Sequence, residues 1–184
     1  MNEEKRRFRI PGSPAFRIAS LAILTAVTAV FTYMVRIPIA PTRGYLNLGD
    51  VAIYFTAFTF GPVSALIAGG LGTALADLIS GYSQWAPISL LVHGLQGLVA
   101  GLIASIAWRG KRGTFNLFWL VAAVAGTVVM CAGYLASGTL MVGFSAALVE
   151  LPGNLLQNLA GVVGAVPLTI AVRKAYPPVT ELRW

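Results

Sequence analysis

The sequence predicts an all-α integral membrane protein with six transmembrane helices, a short second helix and both termini in the cytoplasm. Hydrophobic residues make up 57% of the 184-residue chain and charged residues only 10%, which leaves too little polar surface for a soluble domain. Apolar stretches long enough to cross a hydrocarbon core of about 30 Å follow one another along the chain. Basic residues collect on the segments that this topology places on one side of the membrane.

Five apolar blocks carry the predicted helices, and the second block has to be divided. The blocks cover residues 18–35, 50–82, 86–107, 115–137 and 150–172. At about 1.5 Å per residue, the second block would form a rod of roughly 50 Å, which is longer than the membrane core. The Gly61-Pro62 pair interrupts it, because proline lacks the amide donor that a continuing helix needs. We therefore predict two consecutive helices there, of which the first is short.

The basic residues favour six crossings with both ends in the cytoplasm, where lysine and arginine of short loops are enriched. Six crossings place three clusters on one side: Lys5, Arg6, Arg7, Arg9 and Arg17; Arg109, Lys111 and Arg112; and Arg173, Lys174 and Arg183. Only Arg36 and Arg43 then lie outside. We expect a cytoplasmic tail over residues 1–17, a transmembrane domain over 18–173 and a second cytoplasmic tail over 174–184. The net charge of +7 then reflects orientation, and no nucleic-acid partner is expected.

Motifs for chemistry do not occur in the sequence. The phosphate-binding pattern GxxxxGK[ST] is missing, so the chain is not expected to hydrolyse ATP by that route. With one histidine, His93, and one cysteine, Cys131, neither an internal disulfide nor a metal site of the usual type is expected. We predict a protein that is not an enzyme and that has no catalytic residues and no cofactor.

Ionisable groups lie together in the outer half of the predicted bundle. Asp50 opens the second helix, Asp77 lies near the outer end of the third, His93 lies early in the fourth, and Glu150 starts the sixth. Ionisable side chains inside a membrane span usually face a cavity or a partner. At about 1.5 Å per residue, Asp77 and His93 lie roughly 8 to 10 Å below the outer boundary, where water can reach them.

Two polar stripes extend this set along the fourth and sixth helices. Residues three, four and seven apart lie on one face of a helix. Such spacing joins Ser89, His93 and Gln96 on the fourth helix, and Glu150, Asn154, Gln157 and Asn158 on the sixth. Two polar faces at similar depth predict a shared cavity. The alternative is that these side chains hydrogen-bond between helices and hold the bundle together, at about 0.6 kcal/mol per contact.

The first outer loop and the aromatic residues near it add to the predicted cavity. The segment 38–49 is long for this bundle and carries Tyr45 and Asn47, so it is expected to act as a lid. Four aromatic residues lie at the same level: Tyr33, Tyr82, Trp85 and Tyr134. These rings could stack on a flat aromatic solute or could belong to the aromatic belt of a membrane surface. The inner Trp108 and Trp119 are assigned to that belt.

Small residues form a stripe along the first helix. Ala15, Ala19, Ala22, Ala26 and Ala29 recur at spacings of 4, 3, 4 and 3. Such stripes let helices approach one another closely. The stripe is expected either to pack inside the bundle or to form a docking face for another membrane subunit.

Seven short segments, taken in order, resemble one family of membrane proteins. They are Gly44-Tyr-Leu-Asn-Leu-Gly-Asp50, Phe60-Gly-Pro62, Gly72-Thr-Ala-Leu-Ala-Asp77-Leu, Gly81-Tyr82, Trp85-Ala-Pro87, His93-Gly94 with Gln96-Gly97, and Leu151-Pro-Gly-Asn154-Leu-Leu-Gln157. Over nearly the whole chain, this order resembles the substrate-binding S components of energy-coupling factor (ECF) vitamin transporters.

The resemblance implies a multi-pass subunit in the plasma membrane of a prokaryote that captures a vitamin from outside. It also implies a membrane scaffold (T) subunit and two cytoplasmic ATPase subunits as partners. In the family, a pattern of small residues on the first helix docks on the scaffold, and this pattern maps to Ala22 and Ala26, with Ala19 and Ala29 beside them. The loop 36–49 is expected to close over the bound solute.

Eleven residues form the predicted substrate-binding set. They are Tyr45, Asn47, Asp50, Asp77, Trp85, His93, Gln96, Glu150, Asn154, Gln157 and Asn158. Asp50 and Asp77 lie in motifs shared by family members with different substrates, which also fits a structural role. We therefore rank these two below His93, Asn154 and Gln157 as ligand contacts.

The side chains of this set suit a neutral or weakly cationic heteroaromatic ring with hydroxyl or amino groups. Hydroxymethylpyrimidine, thiamine or pyridoxine would fit, followed by riboflavin. Pantothenate and folate fit less well, because no lysine lies near the outer pocket to balance their charge. The alternative function is a ligand-free membrane scaffold or assembly protein, in which the polar stripes contact a partner.

Overall fold

The computed structural model describes residues 14–107 and 117–183. These residues form the helices α1 (Pro14–Met34), α2 (Gly49–Phe60), α3 (Pro62–Ser80), α4 (Ala86–Ala107), α5 (Leu117–Val142) and α6 (Phe144–Ala175). Strands β1 (Ile37–Ile39) and β2 (Gly44–Leu46) lie between α1 and α2, and a 3-10 helix, Pro177–Glu181, follows α6. Trp108, the basic loop 109–112 and the basic residues before Pro14 lie outside the described residues.

Five of these helices, all except α2, are long and apolar enough to cross a membrane. The chain is therefore a multi-pass membrane protein. The second apolar block divides at Gly61-Pro62, as predicted: α2 has 12 residues, and Pro62 is the first residue of α3. Gly61 has a φ of 100°, a conformation that side-chain-bearing residues rarely adopt, so glycine is required at this turn.

The β-hairpin, residues 37–46, was not predicted from the sequence, which indicated an all-α fold with a loop. Its antiparallel register pairs Ile37 with Leu46, Pro38 with Tyr45 and Ile39 with Gly44. The hairpin lies across one end of the bundle, which we call the hairpin end. The opposite end, where α1 begins and α6 finishes, is called the terminal end.

Helices α3 and α4 pack closely because glycine lies at their contact. A Cβ atom on Gly70 would lie 2.5 Å from the carbonyl oxygen of Leu90, and one on Gly97 would lie 2.6 Å from that of Ala65. Larger residues would force the two helices apart. This close contact brings the Asp77 end of α3 alongside the first turns of α4.

The boundary between α5 and α6 differs from the sequence prediction. We expected α5 to end near residue 137 and α6 to start at Glu150, but Gly143 alone separates the two helices. Gly143 has a φ of 89°, and Pro152 lies inside α6. Glu150 therefore lies within α6, about two turns from its start.

The terminal end contains the main apolar core. Tyr54, Phe58, Trp119 and several alanines of α3 to α6 form one buried cluster. The Trp119 side chain is 1% exposed and stacks on Phe58, with ring centres 5.1 Å apart and planes at 10°. Its assignment to the membrane-surface belt is wrong, because this ring faces the core.

The alanine stripe of α1 faces outward. Helix α1 packs on the bundle through Leu24, Thr28 and Thr32, which are buried. Ala15, Ala19, Ala22 and Ala26 are exposed, and Ala29 is half-buried. The expectation that the stripe packs inside the bundle is therefore wrong, and the outward alternative remains.

Candidate functional site

A cavity opens beneath the β-hairpin, among α1, α3, α4, α5 and α6. It is lined by Thr32, Gly44, Tyr45, Asn47, Thr73, Asp77, Trp85, Ser89, His93, Met130, Tyr134, Glu150, Asn154 and Gln157. Its empty volume is ≈ 410 Å³, including the space at its open mouth. Small-molecule sites are concave and combine aromatic side chains with a few convergent polar groups, and the lining of this cavity has that composition.

The structure places the eleven predicted site residues in two layers. Eight line the cavity: Tyr45, Asn47, Asp77, Trp85, His93, Glu150, Asn154 and Gln157. The other three, Asp50, Gln96 and Asn158, do not line it and are at most 1% exposed. They form a hydrogen-bonded layer behind the cavity wall, on the side of the apolar core.

Asp50 is the centre of the buried layer. One carboxylate oxygen accepts a hydrogen bond from the Gln96 amide nitrogen at 2.5 Å, and the other accepts one from the Gln157 amide nitrogen at 2.6 Å. The Nδ1 atom of His93 lies 3.8 Å from the first of these oxygens. Both oxygens of Asp50 thus have partners within the protein, on two different helices.

Asn158 connects this layer to α2 and α5. Its side-chain oxygen accepts hydrogen bonds from Gln96 at 2.9 Å and from the Tyr54 hydroxyl at 2.8 Å. Its amide nitrogen contacts the Met130 sulfur at 2.9 Å. Because Asn158 touches α2, α4 and α5 at once, its placement indicates a structural role in the bundle.

Asp77 differs from Asp50 in having one unpaired oxygen. Its Oδ1 accepts a hydrogen bond from the Tyr45 hydroxyl at 2.6 Å. The whole residue is only 3% exposed, and its Oδ2 is buried. This oxygen has no hydrogen-bond partner among the described residues. Buried polar atoms in folded proteins nearly always have a partner, so this oxygen indicates a missing donor in the cavity.

The β-hairpin is held on the bundle by polar contacts to three helices. Tyr45 bonds to Asp77 on α3, and the Thr42 hydroxyl bonds to the Glu150 carboxylate on α6. The backbone amide of Asn47 donates to the Gln157 side-chain oxygen at 2.8 Å. At the start of α4, the Trp85 indole donates to the Arg43 carbonyl at 3.2 Å. In this arrangement the hairpin covers the cavity.

The Tyr45 phenol is a stable hydrogen-bond donor at this position. Burial, followed by the nearby Asp77 carboxylate and its hydrogen bond, raises the pKa of Tyr45 well above its ordinary value. The phenol therefore keeps its proton and its bond to Asp77 over the physiological pH range.

Aromatic rings form one wall of the cavity. The ring centres of Trp85 and Tyr134 lie 5.9 Å apart, and those of His93 and Tyr134 lie 5.4 Å apart. The Tyr134 hydroxyl is within 2.7 Å of the Ser89 hydroxyl. Trp85 is 3% exposed, so it belongs to the cavity wall and not to a surface belt.

Several lining residues were missing from the predicted set. Thr32, Gly44, Thr73 and Met130 line the cavity, as do Ser89 and Tyr134, which were noted only as a stripe residue and a nearby ring. Thr28 and Thr32 lie four residues apart on α1, and this polar spacing could have found Thr32. The spacing of residues in the sequence gives no signal that Met130 lines the cavity. Within residues 14–107 and 117–183, no group of three acidic, histidine or cysteine side chains could hold a metal ion.

Comparisons with known proteins find one family and several relatives that match most or part of the chain. The chain matches the family described as "ECF-type riboflavin transporter, S component" over residues 15–174. It is 36% identical to the "Thiamine precursor transporter HmpT" of Lactococcus lactis, over 86% of this chain and 88% of that protein. A Pyrococcus woesei protein described as "Uncharacterized protein in gap 3'region" is 36% identical over 85% of this chain and 100% of its own length. The "Riboflavin transporter RibU" of Staphylococcus aureus is 29% identical over 55% of this chain and 52% of that protein.

Proposed function

The chain belongs to the ECF-type riboflavin transporter S component family, and we propose that it captures a small vitamin or vitamin precursor from outside the cell for uptake driven by partner ATPases. The cavity beneath the β-hairpin is the binding site. The chain performs no chemistry itself, because transport needs only capture and release on this subunit.

The unpaired Oδ2 of Asp77 is the observation that carries this proposal. An unsatisfied buried acceptor costs about 1 to 3 kcal/mol, and more for a charged group, so a fold would not keep one without a reason. A ligand with an N–H or O–H group would satisfy it. A ligand-free scaffold gives no reason for an unpaired carboxylate oxygen that lines a cavity.

The lining chemistry favours a small heteroaromatic ring with hydrogen-bond donors. Two carboxylates, Asp77 and Glu150, face the cavity, and no lysine or arginine of residues 14–107 and 117–183 lines it. Anionic vitamins such as pantothenate and folate are therefore disfavoured. Trp85 and Tyr134 offer faces and edges for a flat ring.

Among such ligands, a hydroxymethylpyrimidine or another thiamine precursor is our first choice, followed by thiamine, pyridoxine and riboflavin. The relative named as a thiamine precursor transporter matches most of both chains, whereas the riboflavin transporter RibU matches about half of each.

The orientation follows from the same reasoning about charge. With six crossings, Arg173, Lys174 and Arg183 and the basic N-terminal residues face the cytoplasm, and the hairpin end faces outward. The short α2 extends only about 18 Å, which is less than the hydrocarbon core of about 30 Å. The β-hairpin, which precedes α2 in the chain, lies on its outer side in this orientation. On this basis residues 1–17 and 174–184 are cytoplasmic tails of a plasma-membrane protein.

The partners of the proposed complex are a membrane scaffold subunit and two cytoplasmic ATPases. The exposed alanine stripe of α1, with Ala22 and Ala26 at its centre and Ala19 and Ala29 beside them, is the proposed docking face for the scaffold. A smooth face of small side chains permits close helix contact and also sliding, which suits a subunit that must reorient to release its solute.

Binding to the purified chain tests the proposal directly. We expect saturable binding of one member of a panel of hydroxymethylpyrimidine, thiamine, pyridoxine and riboflavin, measured by titration calorimetry and native mass spectrometry. Asp77→Asn should weaken that binding about 10- to 100-fold, because it removes a hydrogen bond to a charged acceptor. The matched control is Glu181→Gln, an equivalent change at an exposed carboxylate of the C-terminal segment. A folded chain that binds no member of the panel would contradict the proposal and favour the ligand-free scaffold.

A further inference from the structure

The buried layer behind the cavity determines which hydrogen-bonding groups the cavity presents. A carboxylate without a proton can only accept hydrogen bonds. The two amide groups that contact Asp50 must therefore each turn a nitrogen toward it, as the distances of 2.5 Å to Gln96 and 2.6 Å to Gln157 require. Each amide oxygen then points away from Asp50, toward a group that has to be a donor.

For Gln96, the group on the far side is the imidazole of His93. The Gln96 oxygen lies 2.7 Å from the His93 Nδ1 atom. An amide oxygen has no proton to give, so Nδ1 must carry the hydrogen and donate it. In a neutral imidazole the other nitrogen, Nε2, is then an acceptor. The same carboxylate turns the Gln157 oxygen toward the Asn47 backbone amide, 2.8 Å away, and so holds the β-hairpin.

His93 lines the cavity, and its ring is fixed from two sides. The described residues form a hydrogen bond with Nδ1 and none with Nε2. The Tyr134 ring packs edge-on against the imidazole at 5.4 Å. The cavity thus contains two acceptor atoms for which the described residues provide no hydrogen bond of normal length, the Nε2 atom of His93 and the Oδ2 atom of Asp77.

We infer that Asp50 is a positioning residue that acts through Gln96 to keep the Nδ1–H tautomer of His93, so that the site selects solutes presenting two hydrogen-bond donors. The inference rests on the proposed function and assigns its specificity. Solutes that present an acceptor at either position would meet a lone pair, and they would leave a buried acceptor unsatisfied.

The tautomer can be observed without any ligand, because His93 is the only histidine in the chain. The full-length protein, ring-labelled with ¹⁵N-histidine and reconstituted in lipid bilayers, should give one pair of ring-nitrogen resonances in magic-angle-spinning NMR at neutral pH. We expect a protonated Nδ1 and an unprotonated Nε2. A protonated Nε2, alone or together with Nδ1, would overturn the inference.

Two variants assign the cause of the tautomer. Asp50→Asn should produce a mixture of tautomers, since asparagine can accept or donate and no longer dictates the orientation of Gln96. Asp77→Asn keeps Asp50, Gln96 and His93 in place and should leave the wild-type spectrum unchanged. A wild-type spectrum from Asp50→Asn, or a changed tautomer in Asp77→Asn, would contradict the role of Asp50. If Asp50→Asn does not fold, the wild-type spectrum still identifies the tautomer. Gln96→Leu then replaces Asp50→Asn as the variant that removes the hydrogen bonds joining Asp50 to His93.

The selection of donors is tested by paired solutes. A hydroxymethylpyrimidine with a primary amino group should bind at least about tenfold more tightly than its dimethylamino analogue, which has lost that donor. In Asp50→Asn this ratio should become smaller, because Nε2 of His93 then carries a proton in part of the molecules, while the Oδ2 of Asp77 still accepts a donor. Equal binding of the two solutes to the wild-type chain would contradict the inferred selection of hydrogen-bond donors. It would not contradict the proposed vitamin binding. Failure of every panel vitamin to bind would contradict the proposed function, and the tautomer spectrum would still test the role of Asp50.

Discussion

The two ends of the bundle bury ionisable side chains in different surroundings. At the terminal end, Arg173 is 8% exposed, donates to the Phe58 carbonyl and lies 4.9 Å from the centre of the Trp119 ring. At the hairpin end, Asp77 is 3% exposed and has one oxygen bonded to Tyr45 and one with no partner in the described part of the chain. A buried charge with partners from its own chain supports the fold, whereas an unpaired atom in a cavity points to a ligand.

The same contrast separates two aspartates within the hairpin end. Asp50 and Asp77 are both buried and both belong to the recognised motifs, and the sequence treated them alike. Asp50 has amide donors on α4 and α6 and does not line the cavity. Asp77 lines the cavity and lacks one donor. Burial alone therefore does not distinguish the two carboxylates, whereas the number of their hydrogen-bond partners does.

The largest expected effect on stability belongs to Asp50→Ala. This change leaves the amide donors of Gln96 and Gln157 unsatisfied, and each unsatisfied buried donor costs about 1 to 3 kcal/mol. We expect the free energy of unfolding to fall by about 2 to 6 kcal/mol, measured by thermal unfolding in detergent. Asp77→Ala is the comparison, and we expect a smaller loss, because it breaks one hydrogen bond, from Tyr45, and also removes an oxygen that has no partner among the described residues. Equal midpoints for the two variants would contradict the distinction between the aspartates.

A smaller loss is expected at the terminal end from Arg173→Met. The variant keeps much of the side-chain volume but removes the hydrogen bond to the Phe58 carbonyl and the cation contact with Trp119. These contribute about 2 to 4 kcal/mol together. Unfolding should become easier while the affinity for the vitamin stays unchanged. A vitamin affinity that falls in step with stability would show that the two ends are not separate in function.

Tyr45→Phe sharpens the comparison at the hairpin end, because it deletes one hydroxyl and leaves the ring. The lost hydrogen bond to Asp77 is worth about 1.5 to 3 kcal/mol, since the acceptor is charged. We expect the vitamin to dissociate about 10- to 100-fold faster, with little change in its association rate. Stopped-flow fluorescence would measure both rates. Thr42→Val is the companion variant, which removes the hairpin's bond to Glu150 and should act in the same direction.

The pH dependence of the wild-type chain tests the Tyr45 bond without a substitution. Burial raises the pKa of Tyr45 above its ordinary value of 10.0, so the phenol ionises more readily in the unfolded chain than in the folded one. Its contribution to the free energy of unfolding is therefore constant below about pH 10 and falls above that pH. Vitamin affinity should show no titration of this phenol between about pH 7 and 10. A phenolate absorbance change of Tyr45 in the folded chain near pH 9 would contradict this prediction.

Local chemistry and helical periodicity made part of the architecture predictable. The α2–α3 division was predicted because Gly61 and Pro62 act through the backbone itself. The stripes of α4 and α6 were predicted because residues three and four apart share a helix face, and His93 and Gln157 do line one cavity. Such signals depend only on residues near one another in the chain.

The remaining features depend on contacts between distant segments. Glu150 was taken as a helix start because it opens the last apolar block, 150–172, but hydropathy does not set where backbone hydrogen bonding begins. The β-hairpin has strands of only three residues, and its placement depends on Glu150 and Gln157 more than 100 residues away. Trp119 was assigned to the belt from its depth, although its helix face turns it toward Phe58.

The smallest effect on the chain itself is expected from Ala22→Leu, which lies on the exposed face of α1 between the two ends. An exposed substitution in a helix usually changes stability by no more than about 0.5 kcal/mol, so folding and vitamin affinity should stay at wild-type values. A larger side chain would nevertheless hold a partner helix away from a face that is smooth in the wild type. We therefore expect uptake of labelled vitamin by cells to fall while binding to the purified subunit persists. The control is Ile23→Leu, an exposed neighbour outside the stripe, which should leave uptake unchanged. Normal uptake by Ala22→Leu would move the scaffold contact to another face of the subunit without affecting the assignment of the cavity.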